Sequence, residues 1–162
     1  MINEPLFLEG RDVRLEPLSL SHHDELLRVA RDGELWNLPF TVVPSAETMM
    51  SYMQQALEAQ TQGWEIPFVI IHKPSATIVG STRYMCIDVA HRRREIGCTW
   101  LAASYQRTAV NTEAKYLLLK HAFEEARCIR VEFITDVLNE RSRAALARIG
   151  AKQEGILRNQ RI

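Results

Sequence analysis

The stretch that decides the fold reads YQRTAVNTEAKYLLLK and occupies residues 105–120. It follows a strand-like segment, residues 95–101, and passes from a short polar turn into a strongly patterned helix. Asn111 is the predicted N-cap of that helix. Four apolar side chains recur at helical spacing and predict its buried face: Ala114, Leu117, Leu118 and Ala122.

The turn before this helix has the properties of an anion site. A loop that enters a helix N-terminus presents unpaired backbone N–H groups and the positive end of the helix dipole. Arg107 adds a formal positive charge there, and the hydroxyls of Thr108 and Thr112 add donors. The same features also suit an ordinary strand–turn–helix connection, so the residues alone leave both interpretations open.

Length and composition favour one globular domain over residues 1–162, of which 46% are hydrophobic. Twenty basic residues balance twenty acidic ones, which argues against a nucleic acid or an anionic membrane as the main partner. No apolar run is long enough to span a bilayer, and the N-terminus lacks a signal-peptide pattern. The three cysteines fit neither a disulfide framework nor a metal spacing, so we expect a cytoplasmic protein without a metal site.

The rest of the chain alternates predicted strands and helices. Runs rich in β-branched residues predict strands at residues 13–17, 68–72, 77–87, 93–101 and 129–135, with a short one from Lys152. Periodicity and capping residues predict helices at residues 22–31, 45–60, 111–127 and 139–150, with Ser45 and Asn139 as two of the caps. This order predicts an α/β fold in which a central mixed β-sheet is flanked by helices.

Several segments in this order resemble a known family. They are the strand 95–101, the turn 106–111, the strand 130–135, the run DVLNERS at residues 136–142 and the run ARIGAKQEG at residues 147–155. The last run is similar to the segment R(I/L)GF–x–x–EG of the Gcn5-related N-acetyltransferases, the GNAT family. The chain looks closest to the branch that acetylates N-termini of ribosomal proteins. The resemblance implies direct transfer of an acetyl group from acetyl-coenzyme A (acetyl-CoA) to a primary amine on a protein N-terminus or a small molecule.

The resemblance also implies where the cofactor binds. In this family the pyrophosphate lies on the turn, and the pantetheine arm extends the strand through backbone hydrogen bonds. The family's turn is usually Q/R-x-x-G-x-G/A, whereas this chain has Gln106, Ala109 and Asn111 at the fixed positions. The implied cofactor-binding residues are Thr99, Trp100, Leu101, Gln106, Arg107, Thr108, Ala109, Val110, Asn111, Thr112 and Asn139.

Two residues are implied to carry the proton transfers. Glu95 corresponds to a base-like glutamate in many relatives. The alternative interpretation is that Glu95 is a solvated carboxylate that pairs with an arginine of residues 92–94. Ser142 corresponds to a proton donor near the cofactor's sulfur, although it also fits as an ordinary first-turn residue, and capping alone explains Asn139. Backbone N–H groups after Cys98 are candidates to polarise the thioester carbonyl. We expect no cysteine side chain near the thioester, which disfavours a covalent acetyl-enzyme.

Aromatic residues are the candidates for the acceptor side. Trp36 and Phe40, in a loop, and Tyr84, on a central strand, are predicted to line the cleft between the early helices and the sheet. Aromatic residues at such positions are at least as often core or loop anchors, so that alternative stays open.

The C-terminal end differs from the resembled family, which usually continues into a further strand after the segment that matches residues 156–161. This chain stops at Ile162, so we expect the C-terminus to be truncated relative to the family and the last family strand to be absent. Exposed sheet edges are usually covered, and a second copy of the chain in a homodimer is one candidate for the cover. The altered turn and short C-terminus keep one rival open, a non-catalytic acyl-CoA-binding or protein-interaction module.

Overall fold

One six-stranded sheet positions the other elements of the computed structural model, which describes residues 5–159. Neighbouring strands from the first to the fifth are antiparallel, and the sixth runs parallel to the fifth. The prediction of an α/β fold with a central mixed sheet is therefore confirmed. In chain order, which is also their order across the sheet, the strands are β1 (Leu8–Glu9), β2 (Val13–Pro17), β3 (Ile66–His72), β4 (Thr77–Asp88), β5 (Arg93–Leu101) and β6 (Arg130–Glu132).

Helices pack on both faces of this sheet. Consecutive residues of β3 alternate between two buried clusters: Phe68 belongs to a cluster that includes Leu118, and Val69 belongs to one that includes Met53. Since successive side chains of a strand point to opposite faces, the two clusters lie on opposite sides of the sheet. The α-helices are α1 (His23–Arg31), α2 (Met49–Thr61), α3 (Ala109–Lys120) and α4 (Glu140–Arg148). The buried residues of α1 and α2 belong to the second cluster, and the buried apolar residues of α3 belong to the first.

The N-terminal turn of α3 is fixed to the first hairpin of the sheet. The carboxylate of Glu113 accepts the backbone N–H groups of Arg11 (2.5 Å) and Asp12 (3.1 Å). The neighbouring Gly10 leaves the space that this carboxylate occupies, because a Cβ there would overlap with Glu113 Oε1. The start of α3 therefore has a defined position relative to the sheet.

Some predicted boundaries are wrong, and each error has a local cause. The second helix begins at Met49, because residues 45–48 form a turn in which the Thr48 hydroxyl accepts the N–H of Ser45 (2.9 Å). The strand predicted over residues 129–135 is limited to β6, because β5 bends away from it. The short strand predicted from Lys152 is not formed by the described residues after α4. The N-cap prediction for Asn139 is confirmed.

Candidate active site

Strands β5 and β6 pair only at their first residues and then separate. Residues 93–95 of β5 lie opposite residues 130–132 of β6, whereas β5 continues to Leu101. Among the residues that the structure describes, the edge of β5 over residues 96–101 has no strand partner on the β6 side. We call the gap between the two strands the wedge. Because main-chain groups at a strand edge can form hydrogen bonds with an added strand, residues 99–101 of β5 can accept an extended ligand in the wedge.

A β-bulge lies at the point where β5 leaves β6. Between Gly97 and Trp100 the register with β4 shifts by one residue, so that Cys98 and Thr99 together face Thr82. Cys98 has φ +48°, in the left-handed region. A bulge bends its strand and increases the local twist, which accounts for the divergence of β5 from β6. Sequence reasoning missed the bulge because cysteine is not a residue that favours this backbone region.

The helix after β5 begins two residues earlier than predicted. Thr108 is its N-cap: the hydroxyl accepts the N–H of Val110 (3.3 Å) and donates to the carbonyl of Tyr105 (2.7 Å). The prediction of Asn111 as the N-cap is therefore wrong, since Asn111 lies within the first turn. Ala109, the first helical residue, is exposed. The first backbone N–H groups of a helix lack intrahelical partners, so this end retains the donors of an anion site.

Helix α4 brings further positive charge to the same place. Gln106 connects the elements, because its Nε2 donates to the carbonyl of Leu101 (3.1 Å) and its Oε1 accepts from Arg141 (2.7 Å). Arg148 donates to the hydroxyl of Thr112 (3.3 Å). Two arginines of α4 thus lie beside the turn that carries Arg107. Sequence reasoning missed both, since only the packing of α4 on the turn shows that they belong to the site.

The first turn of α4 holds the other two predicted site residues. The Oδ1 atom of Asn139 accepts the backbone N–H of Ser142 at 3.1 Å. Asn139 therefore caps the helix, and its side-chain amide N–H groups remain available as donors. Ser142 is half-buried. Their contacts with a cofactor stay predictions.

Glu95 is a buried carboxylate on the central strand. Its exposed fraction is 7%, so the alternative of a solvated carboxylate is wrong. The thiol of Cys86 donates to its Oε2 atom at 3.7 Å. Among the arginines of residues 92–94, Arg93 pairs with Asp88 (3.3 Å). The role of Glu95 as a base stays a prediction.

A second polar cluster was not predicted and shares a sheet face with Glu95. Arg83 faces Gly97 and Met85 faces Glu95 in the β4–β5 register, so the side chains of Arg83, Met85 and Glu95 point to the same side of the sheet, the α2 side. Arg83 is 6% exposed. Its guanidinium pairs with Glu65 at 2.7 Å and lies 4.6 Å from the ring centre of Tyr52. We call Arg83, Glu65 and Tyr52 the acceptor-side cluster.

The electrostatics of the acceptor-side cluster keep Arg83 charged. Burial opposes that charge, but Tyr52, Cys98 and Glu65 together raise the pKa of Arg83 above its ordinary value. Burial also raises the pKa of Tyr52, whose hydroxyl accepts the indole N–H of Trp100 at 3.2 Å. The α2 side of the bulge therefore presents a permanent cation paired with a carboxylate.

The three aromatic candidates for the acceptor side have different positions. Tyr84 is completely buried, and its hydroxyl donates to the carbonyl of Leu118 (2.5 Å) on the α3 side. The prediction that Tyr84 lines the acceptor cleft is therefore wrong, because its side chain points to the opposite face. Trp36 packs half-buried against the cluster under α1 and α2, while Phe40 is 47% exposed in the loop. Both stay predictions as acceptor contacts.

Within residues 5–159, no group of three or more His, Cys, Asp or Glu side chains is arranged to hold a metal ion. In the same described range, no helix combines the length and apolar character needed to cross a membrane.

Strands that separate beside a basic helix N-terminus form a site of the kind that suits an extended anionic ligand. Comparison with known proteins gives the family. Residues 12–152 match the family model described as "Acetyltransferase (GNAT) domain". The chain belongs to the GNAT acetyltransferase family. The resemblance seen in the sequence is therefore confirmed. At the level of the family, the predicted enzyme class, an acetyl-CoA-dependent N-acetyltransferase, and the predicted cosubstrate, acetyl-CoA, are confirmed as well.

Individual relatives agree with this assignment. A solved structure from T. thermophilus, described as a "putative acetyltransferase", is 36% identical, with a TM-score of 0.83 over 99% of this chain and 83% of that chain. A GCN5-related N-acetyltransferase from Brucella melitensis is 28% identical, with a TM-score of 0.85 over 99% of this chain and 74% of that chain.

One curated relative bears on the branch within the family. "Putative ribosomal N-acetyltransferase YdaF" of Bacillus subtilis (strain 168) is 38% identical over 73 residues. The match covers 45% of this chain and 39% of that protein, so it spans less than half of the curated relative. The similarity to the ribosomal-protein branch that the sequence indicated is confirmed.

Proposed function

We propose that this chain transfers an acetyl group from acetyl-CoA directly to a primary amine in a ternary complex. The observation that supports this most strongly is the wedge, whose free main-chain edge leads along β5 to the basic N-terminus of α3. An extended pantetheine arm requires backbone partners, which residues 99–101 offer. A pyrophosphate requires N–H donors and cations, and Arg107, Arg141 and Arg148 lie beside the first turn of α3.

The two positions that differ from the usual family turn are compatible with this proposal. Ala109 is small and exposed, so phosphate oxygens can approach the backbone of the first turn. Asn111 lies inside the helix rather than in the turn, because α3 begins at Ala109. The substitution that looked most disruptive in the sequence is therefore placed after the turn that would hold the pyrophosphate.

Three groups of the chain would carry the chemistry. Acetyl-CoA supplies the thioester. Glu95 accepts a proton from the acceptor ammonium, directly or through a water, since its carboxylate is on the acceptor side of the sheet. Backbone N–H groups after Cys98 donate to the carbonyl oxygen where negative charge develops. The neutral amine nitrogen then bonds to the thioester carbon and the carbon–sulfur bond breaks. The hydroxyl of Ser142 passes a proton to the departing sulfur and regains one from solvent, while the nitrogen releases its remaining extra proton to solvent, so the products are the amide and the free thiol of CoA.

The position of Cys98 at the bulge raises the question whether transfer is direct or passes through an acetylated cysteine. The expectation that no cysteine lies near the thioester is wrong if the bulge binds the carbonyl, because Cys98 forms that bulge. We nevertheless propose direct transfer, with Cys98 serving the backbone geometry. A Cys98→Ala variant should keep most of its turnover and show no acetylated enzyme by intact-mass measurement. Loss of turnover in that variant, together with an acetylated cysteine in the parent chain, would replace direct transfer by a covalent route.

A peptide N-terminus is the acceptor class that the comparisons favour, since the curated relative is named as a ribosomal N-acetyltransferase. The acceptor-side cluster offers such a peptide a buried cation and a carboxylate beside Glu95. The three cysteines form no disulfide, which supports a reducing, cytoplasmic setting. A single domain and a homodimer that covers the outer edge of β6 remain proposals.

The experiment that tests the function has two stages. Calorimetric titration with acetyl-CoA measures binding, and release of free thiol then measures turnover against peptides, polyamines and other small amines. Binding with turnover on an amine supports the proposal. Binding without turnover on any amine supports the non-catalytic acyl-CoA-binding module, and absence of binding refutes both.

A further inference from the structure

A lysine lies buried between α3 and the wedge, and neither the family resemblance nor the chemistry above uses it. Lys115 is 6% exposed, and its Nζ atom donates to the hydroxyl of Thr99 at 2.5 Å. The same Nζ atom lies 5.6 Å from the ring centre of Phe133, which directly follows β6. The amine therefore touches both sides of the wedge, at β5 and just beyond β6.

The hydrogen bonding of this amine is incomplete. An ammonium has three N–H donors, and among the described residues only Thr99 Oγ1 accepts from it. Thr99 is in turn hydrogen-bonded to the hydroxyl of Thr82 at 2.7 Å, so it is held in place and cannot serve several donors. Buried donors without acceptors are costly, which indicates that a missing acceptor belongs in this space.

The surroundings also lack a compensating charge. Burial lowers the pKa of Lys115 to about 7, and the thiol of Cys98 on β5 opposes this shift. The partner hydroxyl of Thr99 is bonded to Thr82, and the ring beside the amine belongs to Phe133; none of these side chains carries a charge. No carboxylate of the described chain contributes to the pKa of Lys115.

Three other titratable groups on the α3 side contact one another. Arg94 stacks over the ring of Tyr84 at 4.5 Å, and the Tyr84 hydroxyl lies 3.1 Å from His121 Nδ1. None of these groups appears among the causes of the shifted pKa of Lys115. The amine is therefore close to half protonated at neutral pH, and a neutral acceptor oxygen would favour its charged form.

We propose that Lys115 is a cofactor-binding residue whose ammonium donates to a carbonyl oxygen of the acyl-pantetheine arm from the α3 side of the wedge. This inference rests on the proposed function, because it requires the arm to lie along β5. It adds a side-chain contact to the backbone contacts of residues 99–101. It also couples cofactor binding to uptake of a proton, since the ammonium is the form that donates.

Proton uptake can be measured without catalysis. Titration of the chain with acetyl-CoA in buffers of different ionisation enthalpy gives the number of protons taken up per bound cofactor. With a pKa of about 7 in the free chain, the Lys115 contribution should be about 0.9 proton at pH 8 and about 0.1 at pH 6. Above pH 7 its contribution should weaken acetyl-CoA affinity by up to about tenfold per pH unit.

Matched variants separate this contribution from that of the cofactor's own phosphates. In Lys115→Met the proton uptake at pH 8 should fall by about 0.9, and acetyl-CoA affinity at pH 6 should fall by about 10- to 100-fold. Lys120→Met removes an exposed lysine of the same helix and should match the parent chain in both quantities. Methionine keeps the length of the side chain without its charge, and Lys115→Gln provides a second neutral variant if the first does not fold.

Each outcome has a defined meaning. Proton uptake lost in the Lys115 variants and kept in Lys120→Met supports the inference. Tight acetyl-CoA binding with the same proton uptake in the parent chain and Lys115→Met overturns the role of Lys115 and leaves the proposed function standing. Absence of acetyl-CoA binding to the parent chain overturns both.

Discussion

The buried lysine makes a strong prediction about the stability of the chain in the absence of any ligand. Lys115→Met should stabilise the fold at pH 6, because it removes an ammonium that burial disfavours. The pKa of Lys115 falls from 10.5 to about 7 on folding, and one pKa unit corresponds to about 1.4 kcal/mol, so the upper limit is about 5 kcal/mol. Loss of the hydrogen bond to Thr99 offsets about 1 kcal/mol of this. We therefore expect a net stabilisation of about 2–4 kcal/mol.

The sign of the pH dependence follows from the same shift. Because the folded pKa lies below the unfolded one, the unfolded chain binds more protons between about pH 7 and pH 10. The burial penalty is fully present below pH 7, and the parent chain gains stability as pH rises through that window. Lys115→Met lacks this gain. The stability difference between the two chains should therefore shrink steadily from pH 7 towards pH 10.

Urea unfolding at a series of pH values measures this difference. Lys120→Met serves as the matched control and should show a difference within about 0.5 kcal/mol at every pH, because Lys120 is exposed. A Lys115→Met chain that is less stable than the parent at pH 6, with a difference independent of pH, would refute the reasoning. In that case the lysine would have a compensating partner that lowers its cost in the folded state.

Three further predictions concern the proposed site. Thr108→Ala should lower the free energy of unfolding in urea by about 1 kcal/mol, since it removes the cap of α3. Asn111→Ala should lower it by less. A larger loss in Asn111→Ala than in Thr108→Ala would restore Asn111 as the cap. Arg148→Ala should weaken acetyl-CoA binding several-fold, with a smaller loss at high salt, and an unchanged dissociation constant would remove Arg148 from the phosphate site. Glu95→Gln should lower thiol release most at low pH, where the amine needs a base; an unchanged pH profile would exclude Glu95.

The fold was largely predictable from local sequence patterns. The bounds of β2 and β5 agree with the prediction. The start of α3 was misplaced because both Thr108 and Asn111 are good capping residues, and the choice between them depends on the backbone at Thr108, which is extended. Local propensity cannot distinguish two good caps three residues apart.

The site was less predictable, because it depends on how elements meet. The bulge at Cys98 has no sequence signature, and the arginines of α4 join the site only through tertiary packing. Lys115 did have a signal, since it lies three residues before Leu118 and seven before Ala122 and so shares their helix face. Tyr84 was assigned to the wrong side of the sheet because the face that a strand residue occupies depends on register, and bulges change the register.

The central claim is that the wedge binds acetyl-CoA along the free edge of β5, and hydrogen exchange tests it most directly. Backbone amides of residues 96–101, and those of residues 107–112 at the start of α3, should exchange more slowly when acetyl-CoA is added in saturating amounts. The paired β2–β3 amides should change little and provide the internal reference. Two results would contradict the placement of the cofactor in the wedge. One is slower exchange confined to other parts of the chain, and the other is unchanged exchange throughout the chain under conditions where calorimetry shows binding.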